Sequence, residues 1–140
     1  MSSKTTTKWI GDMSFEWDID GYKVIIDADE SVGGKGRGPK PKPFMLSALG
    51  GCTSMDVVSI LRKMRVLDDV EDFQVHVSGE LSEEHPKHYI NMHVVYEITA
   101  KAGKTIDLEK VEKAVKLSEE NYCGVSAVYK KIMPVTSEII

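Results

Sequence analysis

An α+β fold is predicted by three observations on the 140-residue sequence. Alternating apolar and polar residues, the mark of half-buried strands, fill most of residues 1–30 and 71–100. Two longer segments, 44–66 and 107–122, carry apolar residues at helical spacing instead. The strands come in runs rather than one by one between helices, which favours α+β over α/β. Residues 1–140 are read as one domain, the default at this length.

The elements follow in order. Thr5–Ile10 is β-rich, Met13–Trp17 alternates, and Tyr22–Ile26 follows Asp20-Gly21, a hairpin signal. Residues 31–43, SVGGKGRGPKPKP, hold too much glycine and proline for any regular element and form a basic loop. It is either a solvated linker or a loop that folds over a site. It lacks the GxxxxGK[ST] pattern of a phosphate loop. Pro43 suits the first turn of a helix, where its missing N–H costs nothing.

The helix predicted from Phe44 to Val66 has no clear polar face in its first half, a sign of burial. It turns polar at Arg62, Lys63 and Arg65. Gly50-Gly51 is costly inside it, about 2 kcal/mol for the pair. Either something packs very close there or the adjacent Cys52 is meant to be reached. Glu71–Glu80, with Phe73, Val75 and Val77, reads as one strand of a hairpin. His88–Ala100 is the other, with Ile90, Met92, Val94, Tyr96 and Ile98 on one face, and SEEHPKH makes the turn. In the second helix, Asp107–Tyr122, Asp107 and Glu109 suit the positive end of the dipole. Val111, Ala114, Val115 and Leu117 form its buried stripe. Gly124 is expected to cap its end in the left-handed conformation. A final strand covers 131–138. One antiparallel sheet leaves part of the long helix uncovered, and a second copy of the chain is the natural source of the rest.

Composition narrows the function. Hydrophobic residues make up 41% and charged residues 29%, a globular balance. A net charge of −4 gives no basis for binding nucleic acid or anionic membranes. No stretch is expected to reach the roughly 18 apolar residues that span a bilayer, and the N-terminus has no apolar leader. The chain reads as cytoplasmic.

Cys52 and Cys123 are the only cysteines. They are either two buried thiols or a redox pair; a permanent disulfide is not expected in a reducing cytosol. Without CxxC spacing no metal site is expected. A reactive cysteine must be held as thiolate by a cation or a helix N-terminus. Cys52 lies too far into its helix for the dipole to help much. Arg62 and Arg65 are on the order of 15 Å or more further along. The basic loop offers Arg37, its only arginine, and Lys35, Lys40 and Lys42, which are point charges rather than planar forks. Asp56, one turn after Cys52, opposes a thiolate if its carboxylate points that way. His76, His85, His88 and His93 do not converge by strand parity and read as solvated or structural. Glu83-Glu84 and Glu119-Glu120 read as solvated surface.

PFMLSALGGCTSMDVVSILRKM resembles the first-cysteine helix of the OsmC/Ohr family of thiol peroxidases, and LSEENYCGVSAVYKK resembles its second-cysteine segment. The GGC sequence is closer to the OsmC-like branch than to the Ohr branch. The resemblance implies antiparallel sheets wrapped around long central helices in an intertwined homodimer, with the active site at the subunit interface. It implies an antioxidant enzyme without a cofactor that reduces organic hydroperoxides and, to a lesser degree, hydrogen peroxide. By position, Cys52 would attack the peroxide and become a sulfenic acid. Cys123 would resolve it as a disulfide, which an external dithiol reduces. In the family an arginine from the N-terminal region stabilises the thiolate, and a glutamate near the helix start holds that arginine. Arg37 is the arginine available here, but the glutamate's place falls at Pro43 or Lys42, and Gly124 stands where proline commonly follows the second cysteine. These departures imply a weak or selective peroxidase with Arg37 or a loop lysine as its cation. The alternative is an inactive dimer that senses redox state or binds a small apolar ligand.

Overall fold

Turn chemistry sets the first sheet. Its strands are β1 (Thr5–Gly11), β2 (Ser14–Ile19) and β3 (Tyr22–Ile26), antiparallel in the order β1-β2-β3. Asp20 and Gly21, at φ 49° and 96°, supply the left-handed pair of the second hairpin turn. The computed structural model describes residues 1–140 throughout, and they divide into two compact units, residues 1–45 and 46–140.

In the first unit the basic loop is anchored by a carboxylate. Asp27 is buried and accepts the backbone N–H groups of Ala28 at 2.8 Å, Lys35 at 2.9 Å and Arg37 at 3.1 Å. Its own N–H donates to the Pro39 carbonyl at 3.0 Å. A solvated linker would make no such contacts, so the loop is a folded one. It contains one short 3₁₀ turn, Glu30–Val32. Trp17 and Phe44 pack edge to face, with centroids 4.7 Å apart.

In the second unit β4 (Val70–Leu81), β5 (Tyr89–Ala100) and β6 (Val135–Ile139) form the second sheet, in that order. The β4–β5 hairpin is antiparallel, whereas β6 runs parallel to β5. The all-antiparallel expectation is corrected here: the helical segment between β5 and β6 is a crossover connection of the kind a parallel pair requires. Met92, Val94 and Tyr96 are buried as the alternation predicts. Ile90 is exposed, contrary to the sequence reading. The register slips between Glu80 and Leu81, so Tyr89 takes the inward place.

Helix α1 spans Phe44–Lys63, and Arg65, at φ 61°, ends it short of Val66. It buries one stripe, Leu49, Thr53, Val57 and Leu61, with Gly50 beside it. It is not buried all round: Met55 is 76% exposed, and Ala48 and Gly51 are exposed too. By length and composition α1 would suffice to cross a bilayer, which the sequence reading did not anticipate. A core helix passes the same test, and Thr53 of α1 is hydrogen-bonded inside this unit. The double glycine divides in two. A Cβ on Gly50 would sit 3.2 Å from Val77 of β4, a tight fit, whereas one on Gly51 would meet nothing within 4 Å.

The second helix departs most from expectation. α2 covers only Leu108–Leu117, with Asp107 as its N-cap accepting the Glu109 N–H. Ser118–Tyr122 then form a π turn, and a new helix, α3, runs from Gly124 to Tyr129. Gly124 is therefore not a left-handed cap: Cys123 breaks the helix with extended backbone and Gly124 begins the next. Lys131–Met133 lie in the following turn, outside the last strand.

Two predictions follow from these contacts. Three N–H donors hold the folded Asp27 carboxyl at about 2, below the ordinary value of about 3.9. Its stabilising contribution is complete above the ordinary value and is lost as pH falls through the folded one. Trp9 and Trp17, the only tryptophans, both belong to the first unit. Acid titration of tryptophan fluorescence should therefore show that unit loosening between about pH 4 and pH 2, and Asp27→Asn should remove this dependence while lowering stability at pH 7. In urea unfolding, Gly51→Ala should stabilise the chain by up to about 1 kcal/mol, because helix propensity improves without a clash.

Candidate functional site

The fold brings the two cysteines together from opposite ends of the second unit. Cys52 sits in the middle of α1, half-buried, and Cys123 is buried between the π turn and α3; both are free thiols. The two sulfurs and a carboxylate oxygen of Asp56 all lie within 4.8 Å of one another. Cys52 and Asp56 are one turn apart on the same helix face, so the carboxylate does point towards the thiols.

Cys123 is held by the backbone and Asp56 by a buried hydroxyl. The Cys123 sulfur accepts the Ser126 N–H at 3.4 Å, and the Cys123 N–H donates to the Ser118 carbonyl at 2.7 Å, closing the π turn. Burial pushes the Cys123 thiol well above its ordinary range; the neighbouring Cys52 adds to this, and the N–H groups of Ser126 and Val125 pull against it. Ser126 Oγ is buried with no hydrogen-bond partner.

A chain of hydroxyls runs behind the thiols. Ser118 Oγ donates to Asp56 Oδ2 at 2.9 Å. Thr53 Oγ1 lies 2.8 Å from both Ser118 Oγ and the Tyr96 hydroxyl. Tyr96 donates onward to Glu119 Oε1 at 3.1 Å. Thr53 has one proton for two neighbours, so its hydroxyl can turn towards either. Burial first, and Glu119 with it, hold the Tyr96 phenol protonated far above its usual range. Sequence reading missed Thr53, Ser118 and Tyr96. The one signal was a pair of hydroxyl residues, Thr53 and Ser54, inside an apolar helix; Ser54 bonds back to the Gly50 carbonyl. Glu119, read as solvated surface, is half-buried and accepts a buried phenol.

The remaining candidates fall elsewhere. Arg37 belongs to the first unit, where its guanidinium pairs with Asp12 at 3.0 Å and donates to Ser14 Oγ at 3.1 Å. Lys40 pairs with Asp29 at 3.2 Å. His76 pairs with Glu97, His93 bonds Thr136, and His88 bonds the Pro86 carbonyl, so these three histidines are partnered separately. An open cleft of about 330 Å³ between α1 and β4 is lined by Leu46, Ser47, Gly50, Gly51, Ser54, Val75 and Val77 and by neither cysteine, whereas Cys123 lines a separate cleft of about 300 Å³ with Glu119, Tyr122, Gly124 and Lys130.

The model of the family described as OsmC-like protein matches residues 34–138, which include both cysteines. The chain belongs to the OsmC-like family. Protein YhfA of Escherichia coli is 32% identical over 130 residues, covering 92% of this chain and 90% of that one. A hypothetical protein from Aquifex aeolicus superposes with a TM-score of 0.81 at 24% identity, covering 100% of this chain and 97% of that one. The organic hydroperoxide resistance protein OhrB of Bacillus subtilis superposes with a TM-score of 0.68 at 15% identity, covering 100% and 98%. At those identities the two structures establish the fold.

Within this OsmC-like chain the hydroxyl relay ties α1 to β5 and to the end of α2. Thr53→Val keeps the shape and removes the central hydroxyl, leaving Tyr96 and Ser118 each short of a partner. It should lower stability by about 1–3 kcal/mol in urea unfolding, and Thr53→Ser should restore most of the loss.

Proposed function

We propose that this protein is a thiol-dependent peroxidase that reduces organic hydroperoxides. The observation that carries this reading is the convergence of Cys52 and Cys123, far apart in sequence, with their sulfurs within 4.8 Å. Family membership, and the hydroperoxide resistance named for the Bacillus relative, support the choice of substrate.

In this reading the Cys52 thiolate attacks the terminal peroxide oxygen and the O–O bond breaks. The alkoxide leaves and takes a proton as the alcohol, and Cys52 becomes a sulfenic acid. Cys123, as thiolate, attacks that sulfur; the S–O bond breaks, hydroxide leaves as water after protonation, and a disulfide remains. An external dithiol reduces it by exchange. Exposed apolar residues in the second unit, among them Met55, Tyr122, Val128 and Ile132, support assembly as a homodimer.

A redox sensor without rapid turnover is the second reading. It is favoured by Pro43 and Lys42 standing where the family's glutamate would hold the arginine.

Consumption of cumene hydroperoxide with excess dithiol tests the first reading. Activity should fall to background in Cys52→Ser, and unchanged turnover there would overturn the assignment. Cys123→Ser should complete one turnover and accumulate a sulfenic acid that dimedone traps. Because burial keeps the Cys123 thiol protonated, disulfide closure should accelerate as pH rises from 7 to 9 in stopped-flow measurements. A sensor would oxidise once and stall with dithiol present.

A further inference from the structure

Three groups that are all anionic once deprotonated converge here, an arrangement that suits a cation. We propose that Cys52, Asp56 and Cys123 form a binding site for a thiophilic divalent metal ion, zinc by its chemistry, in the reduced protein. This goes beyond the peroxidase reading and departs from the sequence expectation, which looked for local CxxC spacing and found none.

The donor geometry is close to what the ion needs. Zinc binds sulfur at about 2.3 Å and carboxylate oxygen at about 2.0–2.2 Å, which places tetrahedral donors roughly 3.5–3.8 Å apart. The three donor atoms already lie within 4.8 Å of one another, so small side-chain rotations close the set. Cys52 and Asp56, one helical turn apart, form a chelating pair on a rigid element. The third donor, Cys123, arrives from the break after the π turn.

Supporting contacts orient the donors, as outer-shell groups do in metal sites. Ser118 donates to Asp56 Oδ2 and is itself fixed by Thr53, so the carboxylate is held in place beside the sulfurs. The Ser126 N–H fixes the Cys123 sulfur. Cys52 and Asp56 are half-buried, which gives the ion access and leaves a fourth position for water. Two thiolates with one carboxylate form a borderline-soft set that discriminates against magnesium and calcium. A disulfide between the same sulfurs removes two of the three donors, so the metal-loaded and oxidised states exclude each other.

The test uses full-length protein, reduced and kept anaerobic. Zinc is titrated against a chromophoric chelator, and cadmium is followed through its thiolate-to-metal absorption in the ultraviolet. One ion per chain is expected, lost in Cys52→Ser, in Cys123→Ser and in the disulfide form. Asp56→Asn should weaken binding at least roughly tenfold, and Ser118→Ala about 10-fold or more. Circular dichroism confirms that each variant is folded, and Asp56→Glu should retain part of the affinity should Asp56→Asn unfold. Wild-type affinity in Asp56→Asn would mean simple dithiol chelation and would overturn the site. Binding that survives loss of either cysteine, or more than one equivalent of equal affinity, would mean adventitious metal only. No peroxide is involved, so failure here leaves the peroxidase reading standing, and failure of that reading leaves this one intact.

Discussion

The Thr53 hydroxyl is the contact on which the rest of the second unit depends. It is buried on α1 and bridges Tyr96 of β5 and Ser118 at the end of α2, at 2.8 Å each. A buried hydroxyl without partners is expensive, so the three elements are fixed together at one point. Cys52 precedes Thr53, Asp56 follows three residues later, and Ser118 opens the turn that delivers Cys123. A single polar knot therefore determines where both thiols and the carboxylate stand.

Around that knot the packing is apolar and close. Gly50 lets β4 approach α1 at Val77, and Gly79 does the same on the strand side, where a Cβ would lie 3.1 Å from Leu46 and 2.9 Å from Tyr89. Small residues at facing positions bring the helix against the sheet, and the hydroxyl chain then sets its rotation. The first unit uses a different device: a buried carboxylate, Asp27, gathers the N–H groups of a loop rich in glycine and proline. Burial would penalise that charge, and the donors around it offset the penalty.

Much of this was legible in the residues. Period-two runs marked the strands, Asp20-Gly21 marked a hairpin, and the two cysteine segments carried the family. Sequence reasoning failed where two elements meet. Gly124 looked like a helix cap because glycine favours that role, but Cys123 adopts extended backbone and its sulfur accepts from Ser126. The parallel pairing of β6 rests on a crossover through helical structure, and strand periodicity carries no signal of pairing direction. Glu119 looked like an ordinary surface charge, since the tyrosine that engages it comes from another element, and Asp56 was legible as a neighbour of Cys52 but not as a partner of Ser118. The uniform apolarity of α1 concealed that only one stripe of it is buried within the chain.

The π turn has a consequence for how such a chain tolerates change. The bond from the Cys123 N–H to the Ser118 carbonyl spans five residues, one more than an α-helical step. That extra residue acts as a ruler between the hydroxyl that anchors the turn and the sulfur it presents. Residues 120–122, which are exposed, can vary in side chain while the count stays fixed. Adding or removing one would swing the sulfur by about 100° around the helix axis, away from Cys52 and Asp56. Spacing, more than identity, is the conserved quantity to look for in this segment.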